Sequence, residues 1–156
     1  MAYEYIPAPK GCLYHYTQKD RLDSILKDDR ISCFHDRECW FCTSLEDTLR
    51  LMEMTIMKEG NPYVDAQGIL RKYPAFVPED YVILKLEQRY QNGDWVKWNQ
   101  EMSPDSSHEI LAEAKEFSSL KKGFRGDLKF CQYPQVIEVS LFLSEQTSDM
   151  DMTMKL

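Results

Sequence analysis

The sequence predicts an α+β domain. Three observations lead there. Apolar residues follow helical spacing in some segments and alternation in others, the two kinds of segment are mixed without a regular strand-to-helix repeat, and the length suits one core. At 156 residues, 43% of them hydrophobic, the chain is long enough for a single domain with a real core and short for two of ordinary size.

Cys12-Leu13-Tyr14-His15-Tyr16 reads as a strand feeding a helix from about Gln18 to Lys27. Thr17 can cap that helix, Asp20 completes a weak capping box, and Leu22, Ile25 and Leu26 follow at helical spacing. A second unit repeats the order. Cys39-Trp40-Phe41-Cys42 is a short aromatic strand, Thr43-Ser44-Leu45-Glu46 repeats the cap signal, and Leu45, Leu49, Met52 and Ile56 form a helical stripe.

Gly60-Asn61-Pro62 ends that helix, and the chain to Pro78 reads as irregular, punctuated by Gly68, Pro74 and Pro78. Tyr81 to Leu86 is a strand, buried at its start. Gln91 to Asp94 is a turn from which Trp95 to Trp98 pairs back as a short strand. Ser103 to Ser107 caps a further helix with the face Ile110, Leu111, Ala114 and Phe117.

Gly123 and Gly126 break the chain before a strand from Gln135 to Leu143. Alternation puts Ile137, Val139, Leu141 and Leu143 on one face of it and Val136, Glu138, Ser140 and Phe142 on the other. From Ser144 on the chain is polar, rich in methionine and without a period, so the domain is expected over 1–143 with a mobile tail after it.

The formal net charge of −7 repels a polyanion as a whole, while leaving room for a local basic groove. No apolar run approaches the roughly 20 residues of a membrane span. The first residues lack a basic start followed by an apolar stretch, so a cytoplasmic protein is expected. Five cysteines, an odd number, fit reduced thiols better than a disulfide framework.

Two residues stand out chemically. His15 lies at a strand-to-helix junction, where its ring either packs half-buried against the first helix or holds a ligand hydroxyl. Glu138 is a carboxylate inside QVIEVSLFL, where burial would cost several kcal/mol unless it is paired, so it either points to water or serves a site. Cys33, His35, Cys39 and Cys42 offer zinc-like spacing, but residues three apart on a strand point to opposite faces and would not chelate together. No phosphate loop, nucleophile elbow or paired acidic metal cluster is present, and no metal is expected.

The segments LYHYTQKDRLDSIL, RISC and CWFCTSLEDTL together resemble the N-terminal half of bacterial toxin-type ADP-ribosyltransferase-like domains. The resemblance spans about the first fifty residues and is much weaker beyond them. It implies a split, bent α+β sheet with a cleft for NAD, in which a first-strand histidine binds a ribose hydroxyl and a late-strand glutamate supports charge at the nicotinamide ribose. Carried over, these are His15 and Glu138, with Tyr16 and Thr17 beside the dinucleotide, Trp40, Phe41 or Tyr63 packing on nicotinamide, and Thr43 and Ser44 nearby. Asp29-Arg30 stands where the resemblance leads one to expect a glycine before Ile31, and no glycine precedes the Trp40-Phe41 strand, where many such domains place one. The implied activity is transfer of ADP-ribose from NAD to a protein or nucleic-acid acceptor, in a bacterial or phage effector with a neutralising partner protein. An NAD glycohydrolase, an inactive binding domain of the same fold, and a zinc-stabilised interaction module are the alternatives.

Overall fold

A computed structural model describes residues 3–33, 38–87, 93–99, 103 and 105–145. The fold is α+β in one domain, as the sequence predicts, and all its strand pairs are antiparallel.

Its axis is the strand β7 (Tyr81–Glu87), where Val82, Ile83 and Leu84 form a run fully shielded from solvent. Such a run needs cover on both faces. β2 (Cys12–Gln18) and β11 (Gln135–Glu138) pair on either side of β7, giving the order β11-β7-β2. Leu13 and Leu84 face one core cluster with Phe41 and Trp95, whereas Ile83 faces another with Met52 and Val139.

A second sheet has the order β1-β8-β9-β4, from β1 (Tyr3–Ile6), β8 (Trp95–Trp98), β9 (Lys122–Arg125) and β4 (Glu38–Phe41). Trp95 to Trp98 is therefore a strand but does not pair back on β7. Its partners are β1 and β9, distant in sequence. The turn expected at Gln91 to Asp94 lies partly outside the described residues.

Among the described residues, three α-helices and a short fourth cover these sheets: α1 (Leu22–Asp28), α2 (Leu45–Thr55), α3 (His108–Leu120) and α4 (139–145). Two small sheets complete the structure. β3 (Arg30–Ile31) pairs with β10 (Leu128–Lys129), and β5 (Pro62–Val64) pairs with β6 (Leu70–Lys72).

Several local expectations are corrected. Thr17 does not cap α1, because β2 runs on to Gln18 and the Thr17 side chain is buried in it. A 3₁₀ turn over Lys19–Arg21 precedes α1 instead. At the end of α1, Asp29 adopts φ 59° and donates its N–H to the Ile25 carbonyl at 3.0 Å, the left-handed closure that glycine usually supplies. On α2 the cap is Ser44, whose hydroxyl accepts from the Asp47 N–H, and the stripe Leu45, Leu49, Met52 and Ile56 packs in one cluster.

The segment before Pro78 contains the β5–β6 hairpin rather than irregular chain. On α3 the buried positions begin at Ala114, while Ile110 and Leu111 remain exposed. The strand from Gln135 stops at Glu138 and turns directly into α4. Val139 and Leu143, four apart, pack together on the Met52 cluster as a helix requires, and Leu141 between them is exposed. The tail after residue 145 lies outside the described residues.

Candidate functional site

Among the described residues, one backbone bridge joins the two sheets. Tyr14 and Cys42 exchange backbone hydrogen bonds of 2.8 and 2.9 Å, and beyond this bridge the strands part. Between them, with α2 and the end of α3 as walls, opens a cleft of about 420 Å³.

His15, Tyr16, Thr17, Trp40 and Phe41 all line it. The structure thus brings five of the sequence-derived candidates to one place. His15 Nδ1 lies 2.9 Å from the Trp40 carbonyl. A carbonyl only accepts, so Nδ1 carries the proton and Nε2 of the neutral ring is an acceptor. The ring leans on Phe41 at 5.6 Å between centroids. Burial holds its pKa below the ordinary 6.5, while the Trp40 hydrogen bond pulls the other way.

Register fixes the next feature. Because the Tyr14 backbone bonds to Cys42, away from β7, the parity of an antiparallel ladder turns the Tyr16 N–H and C=O the same way. Past the bridge no described strand meets them, so a short bare strand edge looks into the cleft beside His15. The Tyr16 ring points to the other side of β2. Its hydroxyl lies 2.9 Å from Thr55 Oγ1, whose own proton goes to the Leu51 carbonyl, so Tyr16 is the donor. Burial raises the pKa of that phenol against the opposing hydrogen bond, keeping it protonated.

The cleft also contains what the sequence reading missed. Arg21 and Lys121 lie on its rim, and among the described residues that line it there is no carboxylate. In a chain of net charge −7 this is a local reversal of sign. Lys121 Nζ stands over three rings, 4.4 Å from Trp40, 4.5 Å from Phe117 and 4.9 Å from Trp98. No linear motif announces either cation, since each comes from a different segment and only the fold brings them together.

Other candidates fall elsewhere. Ser44 is occupied as a helix cap, Thr43 beside it is exposed, and neither lines the cleft. Tyr63 belongs to the β5–β6 hairpin, where it packs on Tyr73 at 4.5 Å. Glu138 shares a cross-strand row with Val82 and Thr17, on the same side of the sheet as His15, but it does not line the cleft. Its carboxylate pairs with Lys19 Nζ at 2.6 Å, both side chains being about two-fifths exposed. A pair so open contributes at most about 1 kcal/mol and separates readily.

The cysteines do not converge. Cys39 packs in the Phe41 cluster and donates its thiol to the Ile31 and Gly126 carbonyls, whereas Cys42 packs with Leu51 and Leu120. Burial pushes their pKa values up to about 12 and about 11. His35 lies outside the described residues, and among those described no group of three or more His, Cys, Asp or Glu could hold a metal ion. At about pH 8 the Cys39 thiolate is roughly one part in 10⁴, so iodoacetamide is expected to label exposed Cys131 and spare Cys39 and Cys42 until the chain is unfolded. Mass mapping of the native adducts checks this, and modification of all three at similar rates would contradict it.

Comparison with family models, curated proteins and solved structures found no match. Among the described residues, no helix is long and apolar enough to cross a membrane.

Proposed function

We propose that the cleft binds NAD and that the protein transfers the ADP-ribosyl group to a macromolecular acceptor, releasing nicotinamide. The observation that carries this reading is the pairing of a fixed neutral imidazole with a bare strand edge under a cationic rim. Each part suits one part of the dinucleotide. A carboxamide presents a donor and an acceptor side by side, which is what the Tyr16 N–H and C=O complement. His15 Nε2 accepts from a ribose hydroxyl, and Arg21 and Lys121 draw the diphosphate. The resemblance of the first fifty residues to ADP-ribosyltransferase-like domains supports the same assignment.

In the reaction the bond between nicotinamide N1 and ribose C1′ breaks, its electron pair leaving with neutral nicotinamide. The acceptor's nucleophile bonds to C1′ and loses its proton. Positive charge develops at the ribose on the way, and a fixed carboxylate stabilises that state over the ground state. Glu138 is the carboxylate assigned to this role, and it must leave Lys19 to perform it.

A second reading keeps NAD binding and omits turnover. It is favoured by the position of Glu138 outside the cleft lining.

Nicotinamide release from NAD, measured with and without cell lysate, separates the two. Turnover predicts lysate-dependent release that falls at least about 100-fold in Glu138→Gln, with NAD still raising the melting temperature of the variant by about 5–10 °C near saturation. Thermal stabilisation without release selects the binding reading. Neither stabilisation nor release would remove NAD from the account.

A further inference from the structure

The outer face of the four-stranded sheet carries chemistry that the NAD cleft does not absorb. Register places Tyr3, Tyr5, Val96, Trp98, Gly123, Arg125, Glu38 and Trp40 on it, opposite the core face of Trp95, Phe124 and Phe41. Val96 is fully buried beneath its neighbours and Trp98 packs edge-on against Phe117 of α3, so the open part is the end that carries Tyr3, Tyr5 and Arg125. Here Gly123 matters. A Cβ on it would stand 2.9 Å from Trp40 Cζ3, so the missing side chain lets the indole lie down across β9. Tyr3 stacks near-parallel to that indole, with 6.4 Å between centroids and 24° between planes.

Cations alternate with these rings. The Arg125 guanidinium lies 5.4 Å from the Tyr5 ring and 5.7 Å from the Tyr3 ring, and Lys121 stands over Trp40 at the other end. Tyr5 is 69% exposed and Tyr3 36%. The carboxylate on this face, Glu38, is buried, its side chain 5% exposed, and forms an ion pair with Arg125 Nε at 3.3 Å, which leaves the outer part of the guanidinium, 38% exposed as a side chain, facing solvent. The series Tyr5, Arg125, Tyr3, Trp40, Lys121 ends at the cleft, because Trp40 and Lys121 line it.

We infer that this face binds single-stranded nucleic acid, stacking bases on Tyr5 and Tyr3 and drawing phosphates to Arg125 and Lys121, and so leads an acceptor strand past Trp40 to the mouth of the cleft. Flat rings interleaved with cations match the base and phosphate repeat of an unpaired strand. A duplex hides its base faces, and an acidic peptide would need the cations but not the rings. The acceptor role rests on the NAD reading proposed above. The binding itself does not.

The test is anisotropy of fluorescein-labelled oligo-dT and oligo-rU of about 15 nucleotides, without NAD, against a duplex of equal length and against polyglutamate. The expected result is micromolar binding of one or both single strands, weakened roughly ten- to a hundred-fold in the Tyr3→Ala/Tyr5→Ala double variant and retained in Tyr5→Phe. The affinity should fall with salt, with a logarithmic slope of about −1 to −1.5 for two phosphate contacts. Thermal melts of the variants confirm that they fold. No binding at about 100 μM, equal binding of the duplex, or binding indifferent to the tyrosine changes would overturn the inference. Equal binding of polyglutamate would overturn it in favour of an acidic protein partner. Because NAD is absent, failure of nicotinamide release leaves this result standing, and failure here leaves the NAD reading standing.

Discussion

His15→Ala is expected to weaken NAD binding by roughly 5- to 150-fold, the range set by about 1–3 kcal/mol for a buried polar partner left unmatched. The same residue sets a pH dependence. Nε2 accepts a hydrogen bond only while the ring is neutral, and burial keeps it neutral to below its ordinary pKa of 6.5. NAD affinity, read by calorimetry, should therefore be level from about pH 8 to 6.5 and decline only in more acid solution. Folding stability follows the same direction. With the folded pKa depressed, the unfolded chain binds more protons at low pH, so stability is full above about 6.5 and is lost as pH falls below it. An affinity that rises on acidification, or one untouched by His15→Ala, would refute the assignment of Nε2.

The largest effect on stability is expected at Phe41. Its ring is 1% exposed, packs against Trp95 at 6.0 Å and forms the floor under His15. Phe41→Ala removes that contact area and leaves a hole between the two sheets, costing about 3–5 kcal/mol. Against a total of about 5–15 kcal/mol this is a large share, and the melting temperature should drop by about 6–20 °C. Phe41→Leu, which keeps most of the volume, should lose much less. If Phe41→Ala loses under about 1 kcal/mol by denaturant titration, Phe41 is not the keystone its burial indicates.

What was legible in the sequence was what local spacing encodes. The strand holding His15, a helix cap within Thr43-Ser44-Leu45-Glu46 and the stripe of α2 are each written within a dozen residues, and each is found in the structure. The α4 segment was misread because Val139 and Leu143 satisfy alternation and helical spacing alike. Only the exposure of Leu141 separates the two, and that depends on packing against Met52. The pairing of β8 with β1 and β9 joins segments some ninety and thirty residues apart, which no turn signal reports. The cleft was half visible. His15 and its neighbours come from one strand, but Arg21, Phe117 and Lys121 converge on it only through the fold. Asp29 is instructive in the opposite sense. Its position was marked by the absence of an expected glycine, and the backbone there is left-handed all the same.

The bare edge of β2 past Tyr14 has a consequence for how the protein keeps company with other chains. An unpaired strand edge on an open surface is a template on which a foreign strand can add, and so a route to aggregation. Here the edge lies at the bottom of a cleft walled by Leu51, Ile56 and Phe117. A strand adding to this edge has to enter between those walls with its side chains, whereas one flat amide needs only the Tyr16 N–H and C=O. The walls that stand between the edge and other chains are thus the same ones that a ligand must pass.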